Sequence, residues 1–279
     1  MSRLGKNPGS CGCCMVVTDY KADQGDRDHM EDRYVCYSEG GFQCSGVFDG
    51  HGGYATAEYL KNNLHKELRV AFCKLQSSGK TSSIEVSSAI VSVFEKVDRH
   101  LCSLGYSDGS TAAIVICIWG DIYMCNLGDS RIVWVDSRSQ LGATLDHKPE
   151  LGCEQERIEL HGGYVSTIVG DVPRINGVLA VSRAFGDFFM KEDQDGSYIP
   201  DGLVSIRPHI TVIRAAHLCG GYIIVGTDGL WDVVTSDNAV SYVNSRGSCD
   251  RLIAEAQRRR SRDNIAILKI SVERQVPSG

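Results

Sequence analysis

Apolar residues recur at helical spacing in two stretches of the chain. The first stretch, about 53–75, places Leu60, Leu64 and Leu68 on one face. The second begins near residue 83, and its apolar positions are Val86, Ile90, Val93, Val97 and Leu101. Positions three and four apart share one side of an α-helix, so both stretches predict amphipathic helices. The polar turn between them, 77–81, predicts that the two helices pack as an antiparallel pair.

Most of the other apolar segments predict short β-strands. They are rich in valine and isoleucine, and polar turns such as Gly120-Asp121 separate them. The predicted strands are residues 33–38, 43–47, 112–119, 122–127, 131–135, 222–227 and 264–272. Strands that follow one another at such short range favour antiparallel sheets, with helices, including two more near 150–161 and 250–259, in layers of their own. The pattern predicts an α+β fold of two sheets flanked by helices.

The composition fits one folded domain over residues 15–273 after a short cysteine-containing segment, 1–14. The chain has 279 residues, of which 42% are hydrophobic and 23% charged, and its net charge is −6 at pH 7. An acidic chain has no basic field to hold a phosphodiester backbone, so we expect no nucleic-acid partner. Carboxylates gathered at one place need cations among them, so the acidity is compatible with a metal site.

Twelve cysteines occur without an apolar secretory signal and without a segment long enough to cross a bilayer. We therefore expect a reducing compartment, the cytoplasm or the nucleus, and no membrane span. Cys11 and Cys14 form a C-x-x-C pair, but no second pair with zinc-ligand spacing follows, which favours ordinary thiols. Palmitate on these cysteines stays open as an alternative, whereas Ser2 stands where N-myristoylation requires glycine.

Three aspartates stand where predicted strands meet polar turns. Asp49 follows strand 43–47 and opens a glycine-rich run with Gly50 and His51. Asp228 follows strand 222–227, and Asp263 precedes strand 264–272. Glycine lets the backbone approach a ligand, and hard divalent cations prefer oxygen donors, so such aspartates suit a two-cation site. Taken singly, each segment is equally typical of a surface turn.

A further polar segment lies just before the first predicted strand. It contains Arg27, Glu31 and Asp32. The planar fork of an arginine can hold phosphate oxygens, while carboxylates order the water around a metal. On its own, the segment is as readily explained by surface ion pairs.

The order of these segments along the chain carries more information than any one of them. The blocks are Arg27-x-x-x-Glu31-Asp32, Asp49-Gly50-His51-Gly52-Gly53, Gly109-Ser110-Thr111-Ala112, Gly128-Asp129-Ser130-Arg131, Asp146-His147-Lys148-Pro149, Ser182-Arg183-Ala184-Phe185-Gly186-Asp187, Thr227-Asp228-Gly229-Leu230-Trp231-Asp232 and Ser261-Arg262-Asp263-Asn264. In this order they resemble the metal-dependent protein serine/threonine phosphatase family, type 2C, over about residues 16–271. The resemblance implies a four-layer α-β-β-α sandwich, with two central antiparallel sheets covered by helices and the metals in a cleft at one end.

The resemblance also implies two Mg²⁺ or Mn²⁺ ions. Asp49 would bridge both ions, the Gly50 carbonyl would bind one of them, and Asp228 and Asp263 would bind the other. Related enzymes often hold a weaker third ion with an aspartate shortly before the Gly-Ser-Thr-Ala block. Asp108 stands there in this sequence, directly before the block, in a register that differs from the usual one.

The remaining implied roles concern the reaction itself. Glu31 and Asp32 would orient metal-bound water, directly or from outside the ligand set. Arg27 would bind the phosphate, and His51 would protonate the leaving serine or threonine oxygen. The implied reaction is hydrolysis of phosphoserine and phosphothreonine in other proteins, by in-line attack of a hydroxide that bridges the cations.

Two alternatives stay open beside this reading. A pseudophosphatase or phosphopeptide-binding module would bind its partner without turnover. A metal-dependent phosphodiesterase or nuclease would share the two-cation chemistry, but the acidic charge and the lack of interleaved aromatic and basic residues argue against it. We expect a monomer that acts on phosphoprotein substrates, and a variable flap near 164–174 beside the cleft.

Overall fold

The computed structural model describes residues 13–193, 195–243 and 248–274. Its strands are β1 (Cys13–Asp23), β2 (Arg33–Glu39), β3 (Phe42–Phe48), β4 (Gly50–His51), β5 (Gly109–Ser110), β6 (Ala112–Ile118), β7 (Asp121–Leu127), β8 (Arg131–Val135), β9 (Leu141–Ala143), β10 (Val165–Ser166), β11 (Arg174–Ile175), β12 (Phe185–Gly186), β13 (His209–Arg214), β14 (Tyr222–Gly226) and β15 (Ile265–Arg274). Its helices are α1 (Ala55–Ser77), α2 (Ser83–Ser103), α3 (Gly152–Leu160), α4 (Ala215–Leu218), α5 (Asp228–Trp231), α6 (Ser236–Val243), α7 (Cys249–Arg258) and a 3-10 helix (Phe188–Met190). Ser2 and Cys11 lie outside the described residues, so the expected ordinary thiol at Cys11 and the palmitate alternative stay predictions.

Two five-stranded antiparallel sheets form the centre of the fold. Sheet I has the strand order β1-β15-β14-β8-β9, and sheet II has the order β13-β7-β6-β3-β2. Buried apolar side chains, among them Val115, Met124, Ile132 and Leu268, fill the space between the sheets. Helices α1 and α2 cover the outer face of sheet II, and α5, α6 and α7 cover that of sheet I. The predicted α-β-β-α sandwich is confirmed.

Strand β6 shows why a continuous apolar run is needed at the centre. All seven of its residues are buried. Ile114 and Ile116 pack in the core beneath α1 and α2, whereas Ala113 and Val115 pack against sheet I. Successive side chains of a strand point to opposite faces, so a strand with a layer on each side must be apolar at every position. Each fully buried isoleucine contributes about 2 kcal/mol of hydrophobic stabilisation.

Helices α1 and α2 pack on each other and on sheet II, as the sequence predicted for a helical pair. Helix α2 begins with a capping box, in which Ser82 accepts a hydrogen bond from the Glu85 N–H and the Glu85 carboxylate accepts one from the Ser82 N–H. Leu64, Ile90 and Phe94 are fully buried between the helices and the sheet. Within the described ranges, no helix combines the length and the apolar character that crossing a membrane requires.

The sequence pattern missed strands β1 and β13, which both lie at sheet edges. The second half of strand β1 contains Asp19, Lys21 and Asp23, and all three residues are at least partly exposed. It pairs on one side only, with β15. An edge strand needs little apolar sequence, so its neighbours decide its position more than its own pattern does.

The predicted flap contains a small hairpin. Strands β10 and β11 pair with each other, and Gly170 between them has a φ of +87°, which glycine adopts without strain. A separate small core that includes Ile158, Val181 and Val204 lies with this part of the chain. Strand β11 and the segment after it reach the acidic cavity described below.

Candidate active site

The backbone at Asp49 is fixed where sheet II meets a small three-stranded sheet. Strand β3 ends at Phe48, and Gly50 begins β4, which pairs with β5. The Asp49 carbonyl accepts a hydrogen bond from the Thr111 N–H at 2.9 Å, and the Asp49 N–H donates to Thr111 Oγ1 at 3.3 Å. These bonds hold the main chain on both sides and leave the carboxylate to face a ligand.

Asp228 and Asp263 come from neighbouring strand ends of sheet I. Asp228 begins α5 just after β14, and Asp263 stands two residues before β15. Gly229 lies against the Asn264 backbone, where an added Cβ would stand 2.1 Å from the Asn264 carbonyl oxygen. Only glycine permits this approach, which brings the two aspartate-bearing segments together.

The three aspartates line one cavity of about 430 Å³. Sheet II supplies Asp49, and sheet I supplies Asp228 and Asp263. The other lining residues are Arg27, Glu31, Gly50, His51, Gly52, Thr111, Asp129, Val172, Arg174, Leu179, Ala180, Val181, Asp232 and Asn264. The structure therefore brings together carboxylates that lie far apart in sequence, which is the arrangement that the predicted site requires.

Asn264 fastens the segment before β2 to the start of β15. Its Oδ1 accepts a hydrogen bond from the Glu31 N–H at 2.7 Å. Its Nδ2 donates to the carbonyls of Gln24 and His29, at 2.7 and 3.0 Å. One side chain thus satisfies three backbone groups of an irregular segment and holds Glu31 at the cavity.

Asp32 and Arg27 occupy different depths of the site. Asp32 is only 4% exposed, lies outside the cavity lining and accepts a hydrogen bond from Thr227 Oγ1 at 2.7 Å. Arg27 lies at the rim with its side chain 58% exposed, and its Nη2 is 2.6 Å from Asp263 Oδ2. The predicted phosphate-binding group is therefore an accessible guanidinium beside the acidic cluster.

Burial raises the pKa values of the clustered carboxyl groups. The pKa of Asp32 rises to about 8 and that of Asp228 to about 6, while those of Asp49 and Asp129 rise well above their usual range. Repulsion from Asp228 and Asp32 adds to the effect of burial on Asp49. Asp129 Oδ1 is buried and accepts no hydrogen bond from any described residue. Such a cluster is costly until protons or cations neutralise it.

The donor set fits Mg²⁺ or Mn²⁺, because it consists of carboxylate and carbonyl oxygens. Among the described residues, no group of three or more His, Cys, Asp or Glu side chains is arranged to hold an ion by itself. Magnesium commonly takes one or two carboxylates and keeps several waters. The oxygen-lined cavity therefore suits an ion that takes its remaining ligands from water.

His51 is held by a buried aspartate that the sequence analysis did not assign. Its Nε2 lies 2.7 Å from Asp187 Oδ2, and the Asp187 side chain is 4% exposed. Burial alone would lower the pKa of His51, but the Asp187 carboxylate outweighs it and raises that pKa. A Cβ on Gly109 would stand 2.2 Å from both of these side-chain atoms, so the pair depends on glycine there.

Asp98 on α2 fixes the segment that carries Asp187. Its Oδ1 accepts a hydrogen bond from the Gly186 N–H at 2.8 Å, and its Oδ2 lies 2.8 Å from Lys191 Nζ. Tyr198 also donates its hydroxyl to Asp98 Oδ2, at 2.7 Å. The side chains of Asp98 and Lys191 are both fully buried. The buried Asp98–Lys191 ion pair thus helps to position Asp187, the partner of His51.

The carboxylate of Asp108 is occupied at the start of α1. Its Oδ2 accepts hydrogen bonds from the N–H groups of Ala55 and Thr56, at 2.6 and 3.1 Å, and its Oδ1 accepts one from Thr56 Oγ1 at 2.8 Å. A carboxylate there satisfies amide groups that lack partners within the helix. Asp108 does not line the cavity, and its hydrogen bonds give it a capping role at α1, while a third-ion role stays a prediction.

Trp231 and His147, which lie in two of the quoted blocks, have structural contacts. Trp231 is 5% exposed and donates its Nε1–H to the Gly226 carbonyl at 2.8 Å, which anchors the loop that begins with Asp228. His147 is 2% exposed, and its Nδ1 lies 3.2 Å from the Gly128 N–H nitrogen. Burial lowers the pKa of His147 to about 3, so it is neutral at physiological pH.

Sequence reasoning assigned no role to Asp129, Asp187 or Asp232, although all three lie in the matching blocks. Asp129 and Asp232 line the cavity, and Asp232 Oδ1 is 2.8 Å from Lys148 Nζ. Their position inside the blocks was the available signal. What each side chain contacts depends on distant parts of the chain.

Cys125 and Arg131 have the C-x5-R spacing of cysteine-dependent phosphatases, but Cys125 lies within a strand and not in a loop. Cys125 is a fully buried residue of β7, and burial raises the pKa of its thiol well above the usual range. Arg131 pairs with Asp146, with Nε 2.8 Å from Oδ1. A buried thiol of this kind is a core residue and not a nucleophile.

Comparison with known proteins identifies the family of the chain. A family model described as "Protein phosphatase 2C" matches residues 16–265. "Probable protein phosphatase 2C 74" of Oryza sativa subsp. japonica is 34% identical over 264 residues, which cover 90% of this chain and 64% of that protein. "Probable protein phosphatase 2C 11" of Arabidopsis thaliana is 36% identical over 236 residues, which cover 82% and 58%. The chain thus spans less than two thirds of each of these two relatives.

Solved structures share the fold at lower identity. A serine-threonine phosphatase 2C from Toxoplasma gondii matches with a TM-score of 0.75 at 23% identity, covering 94% of this chain and 99% of that one. A sex determining protein of C. elegans matches with a TM-score of 0.76 at 20% identity, covering 94% and 65%. Because the family model covers most of the sequence, these findings together show that the chain belongs to the protein phosphatase 2C family.

Proposed function

We propose that this chain hydrolyses phosphoserine and phosphothreonine in other proteins, with two Mg²⁺ or Mn²⁺ ions. The observation that carries the proposal is the shared cavity of Asp49, Asp228 and Asp263, which two different sheets supply. Arg27 and His51 also line this cavity. Arg27 would supply a positive charge that binds the phosphate, and His51 would supply a proton.

The cavity residues divide into ligands and groups that act on the substrate. Asp49, the Gly50 carbonyl, Asp228 and Asp263 would hold the cations. When bound, the cations would lower the pKa of an attacking water and neutralise charge on the phosphoryl group. Glu31, at the cavity, would orient water. Asp32 would do so from behind the lining, through its neighbours.

Two further side chains would act on the phosphate ester. Arg27, exposed at the rim, would turn from Asp263 toward the phosphate oxygens, which its planar fork suits. His51 would donate a proton to the leaving serine or threonine oxygen. Its bond to Asp187 fixes the ring, so that the other ring nitrogen can face the substrate.

Substitution of the aspartates tests the proposal. The purified chain should hydrolyse p-nitrophenyl phosphate and a phosphothreonine peptide when manganese is present. Asp49→Asn and Asp228→Asn should each lose roughly a thousandfold in kcat/KM, because each removes a charge that holds the cations. Asp237→Asn, an exposed aspartate on α6, is the matched control and should keep the parent activity.

Two outcomes would contradict the proposal in different ways. If Asp49→Asn and Asp228→Asn were as active as the parent, the assignment of these aspartates to the active site would be wrong. Calorimetry could show that the chain binds neither manganese nor magnesium at millimolar concentration but still binds the phosphopeptide. That result would favour a phosphopeptide-binding module over an enzyme.

The proposal extends to the setting of the protein. We propose a monomer of the cytoplasm or nucleus whose partners are phosphoprotein substrates. The thiols of Cys44, Cys125 and Cys249 are buried in the core, which fits a compartment where thiols stay reduced.

A further inference from the structure

A second groove runs between the exposed side of α1 and the outer edge of sheet II. It encloses about 850 Å³. Its lining residues are Tyr37, Glu39, Lys66, Arg69, Val70, Cys73, Lys74, Ser77 and Ser78. We call it the α1 groove. None of these residues belongs to the acidic cavity, so this groove has no part in the site described above.

The helical wall of the α1 groove is a stripe with an apolar centre. Lys66, Val70, Cys73 and Ser77 follow one another at intervals of three or four residues, which keeps them on one side of α1. Val70 is 50% exposed, whereas Leu68 two positions earlier is fully buried. The stripe offers contact to an apolar side chain that would enter the groove from solvent.

The charges of the α1 groove oppose the charge of the whole chain. The chain carries a net charge of −6, yet the groove has three cationic side chains and one anionic side chain. Arg69 pairs with Glu39, with Nη2 2.7 Å from Oε1. Lys66 and Lys74 are exposed and form no ion pair with any described residue. The groove therefore attracts acidic groups.

The other wall of the α1 groove is an open sheet edge. Strand β2 pairs with β3 on one side, and no strand within the described ranges pairs with its other side. In an antiparallel strand, every second residue directs its N–H and C=O away from the paired neighbour. Such an edge can accept an additional strand.

We propose that the α1 groove binds an extended acidic segment of a partner protein, which adds a strand to the open edge of β2. Backbone hydrogen bonds to β2 would supply affinity. The side chains of the segment on the face that α1 covers would contact Val70 and Cys73 or pair with Lys66 and Lys74. A second copy of this chain is a poor occupant, because pairing two β2 edges would bring two basic grooves together.

The α1 groove is a docking site separate from the acidic cavity. Helix α1 begins near the cavity at Ala55, and Lys66 lies about three turns further on, or roughly 16 Å away. A partner held there would leave the cavity open. The proposal therefore goes beyond the proposed catalytic function and does not depend on it.

Binding of a defined peptide tests the proposal. The probe is a fluorescein-labelled peptide in which glutamate alternates with valine, as long as the seven residues of β2, measured by fluorescence anisotropy. The parent chain should bind it, and the double variant Lys66→Glu/Lys74→Glu should bind about tenfold more weakly. The control Arg138→Glu/Arg251→Glu makes the same change in net charge on exposed residues elsewhere and should keep the parent affinity.

Strand addition is tested with the same peptide carrying N-methyl groups on alternate residues. Methylation of the residues that face β2 should abolish binding, whereas methylation of the other set should not. The proposal is overturned if the parent does not bind the peptide, if both double variants weaken binding equally or not at all, or if both methylated peptides bind like the original.

Two more readouts separate this proposal from others. Hydrolysis of p-nitrophenyl phosphate should be the same in the parent and in Lys66→Glu/Lys74→Glu, so a failure of the catalytic proposal stays distinguishable. Analytical ultracentrifugation should show that the same substitutions do not change the oligomeric state. A dimer that they disperse would assign the groove to a second copy of the chain and overturn the proposal.

Discussion

Glu154 joins α3 to the segment that leads toward the site. Its side chain is 1% exposed, and it accepts hydrogen bonds from Arg157 Nη1 at 2.6 Å, Ser182 Oγ at 2.8 Å and Arg183 Nε at 3.0 Å. Burial alone would raise the pKa of this carboxyl group, but Arg183 and Arg157 outweigh it and lower that pKa to about 2. The ionised carboxylate is therefore the form that the folded chain binds.

Replacement of Glu154 should destabilise the chain in a pH-dependent way. Because the pKa falls from 4.5 to about 2 on folding, the ionised group contributes about 3 kcal/mol above pH 4.5, and this contribution is lost as the pH falls toward 2. Glu154→Gln should lower the free energy of unfolding by about that amount at pH 7. Urea unfolding at pH 7 and pH 4 checks this.

The control for this prediction is Glu156→Gln, two positions away on the same helix. Glu156 forms no ion pair with any described residue, so its replacement should change stability by less than about 0.5 kcal/mol. The account of Glu154 would be wrong if the deficit of Glu154→Gln stayed constant, or grew, as the pH fell from 7 to 4.

Single residues differ in how far the sequence could predict them. Asp49, Asp228 and Asp263 stand at strand boundaries, and those boundaries are visible because a mostly buried strand gives way there to polar turn residues. Asp187 could not be assigned as the partner of His51, because their bond joins positions 136 apart. The three-stranded sheet β12-β5-β4 brings those two side chains together, and α2 packs against β12.

Helix α2 and the segment after β12 depend on each other through one buried ion pair. The Asp98 and Lys191 side chains have no exposure, and Lys191 Nζ also donates to the Ala184 carbonyl at 2.7 Å. Removing one member leaves the other charge buried without its partner, which typically costs about 3 to 5 kcal/mol.

Lys191→Met should therefore destabilise the chain and also lower its turnover. Loss of the ammonium frees Asp98 from its position, and with it the Gly186-Asp187 backbone that holds His51. We expect a loss of about 3 kcal/mol in urea unfolding. In the fully folded protein, kcat for the phosphothreonine peptide should fall more than KM changes.

Ile90→Ala is the matched control for this prediction. Ile90 lies on the same helix, is fully buried in the apolar core and does not line the cavity, so its truncation should cost about 2 to 5 kcal/mol through packing. Equal kcat values for the two variants, measured where both are folded, would show that the ion pair serves stability only.

Elements were predictable in proportion to their length and their burial. The helices α1 and α2 carry a helical period, and the strands β6 and β7 are largely apolar runs that turn residues bound, so the sequence displays all four. Strands β4, β5 and β12 have two residues each, which is too short for any period. These short strands form because longer elements bring them together. They nevertheless position Gly50 and His51, which form β4, and Gly186, which precedes Asp187.

The whole molecule gathers negative charge at the junction of its two sheets. Asp49 comes from sheet II and Asp228 from sheet I, and Asp32 and Asp129 lie close enough to raise the pKa of Asp49 by repulsion. Without cations, folding must bury these groups together. The free energy of folding of the metal-free chain therefore includes a penalty that bound cations remove.

Metal removal should reveal this penalty directly. In EDTA the parent should melt at a lower temperature than in millimolar manganese, since a ligand at about 100 times its Kd adds about 2.7 kcal/mol of stability. Asp49→Asn in EDTA should be more stable than the parent in EDTA, by about 1 to 3 kcal/mol, because one buried acidic group is gone. Differential scanning fluorimetry measures both effects.

Asp237→Asn again provides the comparison, because it removes one exposed negative charge that does not line the cavity. Its melting temperature in EDTA should equal that of the parent within error. A metal-free Asp49→Asn chain that melts below the metal-free parent would mean that Asp49 stabilises the fold itself, and the electrostatic penalty at the junction would have to be abandoned.

The pairing of β1 with β15 limits how early sheet I can be completed in a newly synthesised chain. Cys13 lies opposite Arg274 across this ladder, so the earliest described strand has no partner until the ribosome has released the last one. Contacts between such distant positions form late and slowly. Asp263 emerges only with that last strand, so a nascent or truncated polypeptide would lack one of the proposed ligands. The proposed two-ion site therefore cannot be complete before β15 has been synthesised.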